Sequence, residues 1–274
     1  MAGLVVITGA STGIGRATAE RLAAAGFEVV AGVRSESAGA ELRRDRVMPA
    51  IVDVTDAGQV AALAAQVGDR PLAGLVNNAG ISLTGPLEFM AIDEFRRQLE
   101  VNLVGHAAVT QALIEALRRG RGRIVNVGSV GARTPLPFNS AYAASKAGLW
   151  AMGESLRGEL RPWGIHVAIV EPGAIATPIW QKMGDQAGEV GDEIPPRGRE
   201  LYGSTLAKAG TAIAKVSRSA SPPEKVAAVI ERALTARRPK DRYLVGIDAR
   251  GQALARRVLG HRRWDKVLQR QMGL

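Results

Sequence analysis

The chain has 274 residues, 46% hydrophobic and 23% charged, which suits a globular protein with a substantial core. It has no cysteine, which excludes disulfides, thiolate nucleophiles and cysteine-held metals and makes a reducing compartment, the cytoplasm, the expected location. The net charge of +10 raises a nucleic-acid reading, but half of the excess sits in residues 247–274, where seven basic side chains outnumber two acidic ones. That pattern argues for a basic tail and against a nucleic-acid partner.

In chain order, GLVVIT (3–8) predicts a strand, with no charged leader before it, and Ile14–Ala25 predicts a helix closed by Gly26 in a left-handed cap. Strands follow at 27–33 and 47–54, an Ala-rich helix at 56–67, and a strand opening LAGLVNNAG (72–80). A long helical region covers 92–118, then a strand 122–129, the helix of SAYAASKAGL, a strand 164–173, a helix 222–236 and a last strand 242–246. Val/Ile-rich runs alternating with helices predict βαβ units and a parallel sheet in an α/β fold. No stretch reaches the ~18–20 apolar residues of a membrane span. The Gly/Pro-containing segment 177–221 reads as an inserted functional lid, part of which, from Gly198 to Val216, suits a helix. The organisation is one domain, 1–246, with a basic extension, 247–274.

Between the first strand and helix lies ITGASTGIGRATA, with Gly9, Ser11, Thr12, Gly13, Ile14 and Gly15 at the turn. Glycines there let backbone approach a ligand, and the helix start presents free N–H groups and a positive dipole end, the physics of pyrophosphate binding. In dinucleotide folds the second strand ends at the adenosine ribose, where a carboxylate repels a 2′-phosphate. Here that strand ends Val33-Arg34-Ser35, so NADP(H) is expected over NAD(H). Asp53, followed by Val54, is placed to accept a bond from the adenine amino group.

Tyr142 and Lys146 stand four apart, on one helix face. A phenol ionises near ~10, and a neighbouring ammonium moves it down towards neutrality, where it can exchange a proton. Ser129 ends a strand thirteen residues earlier, Asn102 is a polar side chain among apolar helical neighbours, and Asn77-Asn78-Ala79-Gly80 ends the fourth strand at the same sheet edge.

Together with Thr8-Gly9, Gly13-Ile14-Gly15 and Pro172-Gly173, this set resembles the short-chain dehydrogenase/reductase family in its single-domain branch. The resemblance implies a Rossmann-type doubly wound sheet of seven parallel strands and a Ser–Tyr–Lys–Asn tetrad. By that resemblance Tyr142 is the acid/base, Ser129 orients the substrate oxygen, Lys146 lowers the tyrosine pKa and binds the nicotinamide ribose, and Asn102 holds a water in a proton relay. Asn78, Ala79 and Gly80 lie along the cofactor, Ile175 and Thr177 meet the nicotinamide carboxamide, and Arg34 matches the arginine of NADP-preferring members. Many of these carry a second basic residue where this chain has Thr12, so 2′-phosphate recognition rests mainly on Arg34.

The expected substrate is a hydrophobic carbonyl or alcohol, bordered by Leu136, Phe138, Ile179 and Trp180, and the carboxyl end resembles hydroxysteroid and retinol dehydrogenases. Alternatives are an NAD(H)-dependent alcohol dehydrogenase on the same fold and a non-catalytic NADP-sensing module. The tail either caps the pocket, packs on a partner subunit or touches an anionic membrane surface peripherally. Relatives pair through the helices holding Asn102 and Tyr142, so a homodimer or homotetramer is expected.

Overall fold

The computed structural model describes residues 3–178 and 194–272. The strands are β1 (Leu4–Ile7), β2 (Glu28–Val33), β3 (Val47–Ile51), β4 (Leu72–Asn77), β5 (Arg123–Val127), β6 (His166–Pro172) and β7 (Arg242–Val245). All are parallel, ordered β3-β2-β1-β4-β5-β6-β7. The helices are α1 (Gly13–Ala24), α2 (Glu36–Leu42), α3 (Ala57–Val67), α4 (Ile92–Leu99), α5 (Gly105–Gly120), α6 (Ser140–Leu160), α7 (Pro196–Arg218), α8 (Pro223–Thr235) and α9 (Ile247–Met272).

The pleat explains the apolar runs. Val5 and Ile7 pack with Leu22 of α1 and Ile230 of α8, while Leu4 and Val6 pack with Leu63 of α3 and Leu113 of α5. Both faces are covered, so alternation disappears from the sequence. Each such side chain contributes about 1.5–3 kcal/mol on burial. Gly26 closes α1 as the sequence predicts: at φ +92° its N–H bonds Ala23 O, and Phe27 N–H bonds Leu22 O.

The chain runs outward from β1 to β3, then returns to lay β4 beside β1. That reversal opens a crevice at the carboxyl ends of β1 and β4, where ligands bind in open α/β sheets.

The long helical region expected over 92–118 is α4 and α5, continuous through a wide π turn at Glu100–Val104. Asn102 lies in that turn, and Gly105 just after it touches Val54, where a Cβ would come within 2.6 Å of a valine methyl. Inserted π turns of this kind place a side chain off the regular helical face.

In the inserted segment, α7 covers a longer span than the sequence suggested. The basic tail forms α9, broken at Gly260 (φ +67°). It packs back on the body through buried Ala249, Trp264 and Leu268, and Asp248 accepts a 2.7 Å bond from Ala174 N–H. Among the described residues no helix is long and apolar enough to cross a membrane.

Candidate active site

The loop after β1 has no room for side chains at its glycines. Gly9 (φ +64°) would put a Cβ 2.7 Å from Ala79 Cα, and Gly13 (φ +54°) would put one 2.9 Å from Thr177 Cγ2. Gly15 lies under Gly9 O and Asn78 Nδ2. Ser11 is half-buried, Thr12 is exposed as the residue preceding α1, and Ile14 packs onto the core. Asn78 staples this loop to β4 by donating to Thr8 O and Gly9 O, both at 2.9 Å. The buried Thr8 hydroxyl accepts from Asn78 and Ala79 N–H, each at 3.0 Å. The first amides of α1 have no helical acceptor and border a backbone cradle that a Cβ would fill, so the residues present fit a dinucleotide's phosphates.

At the far end of the crevice Arg34 and Ser35 are exposed, and Ser35 Oγ caps α2 by accepting from Ala38 N–H at 3.3 Å. Asp53 Oδ1 accepts from Thr55 N–H at 3.0 Å and from its hydroxyl at 2.7 Å. The Thr55 amide is the main reason the carboxyl sits below its ordinary range, with the charges of Arg34 and Arg97 as lesser causes. Val54 is buried and packs against Gly105.

Three strand ends and two helices bring the catalytic candidates together. Ser129 follows β5 and opens a short turn, accepting from Gly131 N–H at 3.0 Å. Its hydroxyl and the Tyr142 ring both border Gly131, where an added Cβ would lie 3.3 Å from Ser129 Oγ and 3.8 Å from Tyr142 Cε1. Lys146, 5% exposed, donates to Val127 O at 2.9 Å and holds Nζ 5.8 Å from the Tyr142 ring centroid. Burial lowers the Lys146 ammonium from 10.5 to about 8. The expectation of a depressed tyrosine is reversed: burial pushes the Tyr142 phenol up, against a smaller lowering by the neighbouring Ser129 hydroxyl.

Asn102 serves the site through backbone. Its Oδ1 accepts from Ile81 N–H at 2.9 Å, and its Nδ2 donates to Ile81 O at 3.0 Å and to Ser145 Oγ at 3.1 Å. The Ser145 hydroxyl in turn donates to Tyr142 O at 2.7 Å. The side-chain amide thus clamps the segment after Gly80 to α6. Gly80 lies between these groups, its Cβ position 3.8 Å from Lys146 Nζ.

Pro172 and Gly173 end β6, with Gly173 N–H bonding Val245 O at 2.9 Å. Ile175 is buried and bridges to Ser221, and Thr177 leans over Gly13. Among the expected substrate contacts, Phe138 holds a left-handed φ of +63°, uncommon for a bulky residue, and its carbonyl accepts from Gly85 N–H. Its ring meets Tyr202 of α7 edge-on at 6.0 Å, and Phe89 meets Tyr202 at the same distance. Tyr202 donates to Glu88 at 2.9 Å. Leu136 is 44% exposed at the rim, and Ile179 and Trp180 lie outside the described residues.

Sequence reasoning missed two groups. Glu171 of β6 is fully buried and ion-paired with Arg133 at 3.2 Å and with Arg242. Its signal was a charge inside the apolar run HVAIVEP. His106 of α5, also buried, donates from Nε2 to Ala79 O at 2.7 Å. Burial first, and the Lys146 charge second, lower its pKa to about 3, so it is neutral at physiological pH.

The chain matches the short chain dehydrogenase family over residues 3–188. It is 35% identical to mouse retinol dehydrogenase 5, covering 96% of this chain and 87% of that protein. It is 37% identical to bovine 17-beta-hydroxysteroid dehydrogenase type 6, with 89% and 81% covered. A short chain dehydrogenase from Burkholderia cenocepacia J2315, solved in complex with NADP, superposes with a TM-score of 0.75 at 27% identity, covering 99% of this chain and 97% of that one. With a nucleotide cradle and a Ser–Tyr–Lys cluster on one edge of a seven-stranded parallel sheet, the chain belongs to the short chain dehydrogenase family.

Proposed function

We propose that the chain is an NADP(H)-dependent oxidoreductase that reduces the carbonyl of a hydrophobic ketone to a secondary alcohol. One observation carries the reading: the Ser129 hydroxyl and the Tyr142 ring both border Gly131, with the Lys146 ammonium 5.8 Å from the ring centroid. A protonated phenol is a donor, which suits reduction. Tyr142 gives its proton to the carbonyl oxygen as charge develops there, and Ser129 holds that oxygen in line. Lys146, charged below about pH 8, stabilises the phenolate left behind. Asn102, through Ser145, fixes the first turn of α6 so that the phenol keeps its aim.

The dinucleotide, when bound, supplies the hydride. Gly9, Gly13 and Gly15 would hold its phosphates, Arg34 and Ser35 the 2′-phosphate, Asp53 the adenine, and Ile175 and Thr177 the carboxamide. Arg34 and the lack of a carboxylate at the end of β2 support NADP(H). The aromatic rim of Phe89, Phe138 and Tyr202, with retinol and hydroxysteroid dehydrogenases among the relatives, supports a lipophilic substrate. A cytoplasmic location and a homodimer or homotetramer complete the reading.

Steady-state kinetics on a panel of lipophilic ketones, with NADPH and NADH side by side, tests it. Arg34→Ala is expected to raise the KM for NADPH about tenfold, the weight of one charge-assisted contact, and to leave NADH unchanged. An unaltered NADPH KM removes the coenzyme assignment, and no turnover of any ketone removes the direction.

A further inference from the structure

Between α8, β7 and the start of α9 lies a cleft of about 380 Å³ that the chemistry above leaves unused. Five cations line it: Arg232, Arg238, Lys240, Arg242 and Arg250. Among the described residues no carboxylate does. Of the acids nearby, Glu171 pairs with Arg133 and with the cleft's own Arg242, Glu231 with Arg21 and Asp241 with Arg157, and Asp248 accepts from the Ala174 amide. Among the described residues Arg232, Arg238, Lys240 and Arg250 make no ion pair. Arg242, pinned by Glu171, keeps Nη2 as a buried donor without an acceptor.

The four unpaired cations around one concavity repel each other, and a concave wall concentrates their field. A dissolved anion that carries several charges converts that repulsion into attraction. Guanidinium forks match phosphate oxygens in pairs, and a monocarboxylate would neutralise too little. Leu244 and Val229 supply an apolar wall for the carbon part of an ester. We infer that this cleft binds a phosphate ester bearing at least two negative charges, at a place separate from the coenzyme crevice.

Calorimetric titration of the full chain with tripolyphosphate at constant ionic strength tests this. Arg238→Glu combined with Lys240→Glu alters two exposed side chains, and an unchanged melting temperature without ligand verifies the fold. Affinity is expected to fall about tenfold or more in that variant, since each charge-assisted contact is worth roughly a factor of ten. The inference is overturned if the native chain does not bind, if the double variant binds equally well, or if Arg262→Glu with Arg263→Glu in the tail produces the same loss. Sedimentation with phosphatidylcholine vesicles containing phosphatidylinositol bisphosphate separates the sources. Retention that the cleft variant abolishes assigns the phosphate to a lipid headgroup, and tripolyphosphate binding without retention assigns it to a free ester. Both support the site, and neither depends on NADPH being the coenzyme.

Discussion

Arg133 and Glu171 meet beneath the candidate active site, Nε to Oε1 at 3.2 Å, with the carboxylate wholly out of solvent. Arg133 follows Ser129 by four residues, and its guanidinium also stacks on Trp150 of α6 at 4.5 Å. One side chain therefore ties the Ser129 turn to β6 and to the helix of Tyr142 and Lys146.

Glu171→Gln leaves two guanidinium groups, on side chains 35% and 34% exposed, facing a neutral amide. Because water can reach both cations, the loss should fall below the ~3–5 kcal/mol of a fully buried pair, at about 1–3 kcal/mol, which urea unfolding will register. We expect kcat to fall as Ser129 loosens, while the KM for coenzyme holds. Removing Arg133 as well should cost less than the two single changes added together, because the partners share one network.

Tyr142→Phe keeps the ring and removes the proton. Turnover should fall by about 10²–10⁴-fold, the usual contribution of a positioned acid, with NADPH binding within about twofold of the native chain by fluorescence titration. In the native enzyme kcat should decline as pH rises through about 8, where the Lys146 ammonium is lost. A rate that stays flat to pH 10 would remove Lys146 from the mechanism.

His106 makes stability sensitive to acid. Its folded pKa, about 3, lies below the ordinary 6.5, so between those values the unfolded chain binds the extra proton and folding weakens as pH drops. From pH 6.5 to pH 4 the loss from this group is about 3 kcal/mol. Denaturant unfolding at the two pH values, compared with His106→Gln, will show a shallower acid slope in the variant.

Tyr202→Ala removes two edge-on ring contacts at the rim. Each such pair contributes about 0.5–1.5 kcal/mol, so the KM for a lipophilic ketone should rise about tenfold. The coenzyme KM should not move. Tyr202→Phe, which loses only the Glu88 hydrogen bond, should lie close to the native value.

Local chemistry was legible from residue order. Apolar runs of the right length marked all seven strands, Gly26 marked the end of α1, and glycine at 9, 13 and 15 marked the backbone cradle, because only residues lacking Cβ tolerate those turns and contacts. The i, i+4 spacing put Tyr142 and Lys146 on one face of α6. Tertiary structure decided what those groups experience. The direction of the Tyr142 shift, the clamping of Ile81 by the Asn102 amide, the pairing of Glu171 with residues 38 positions before and 71 after it, and the neutrality of His106 all depend on burial and on partners distant in sequence. Spacing along a chain sets which side chains share a face, whereas desolvation and ion pairing are set by what the fold packs against that face.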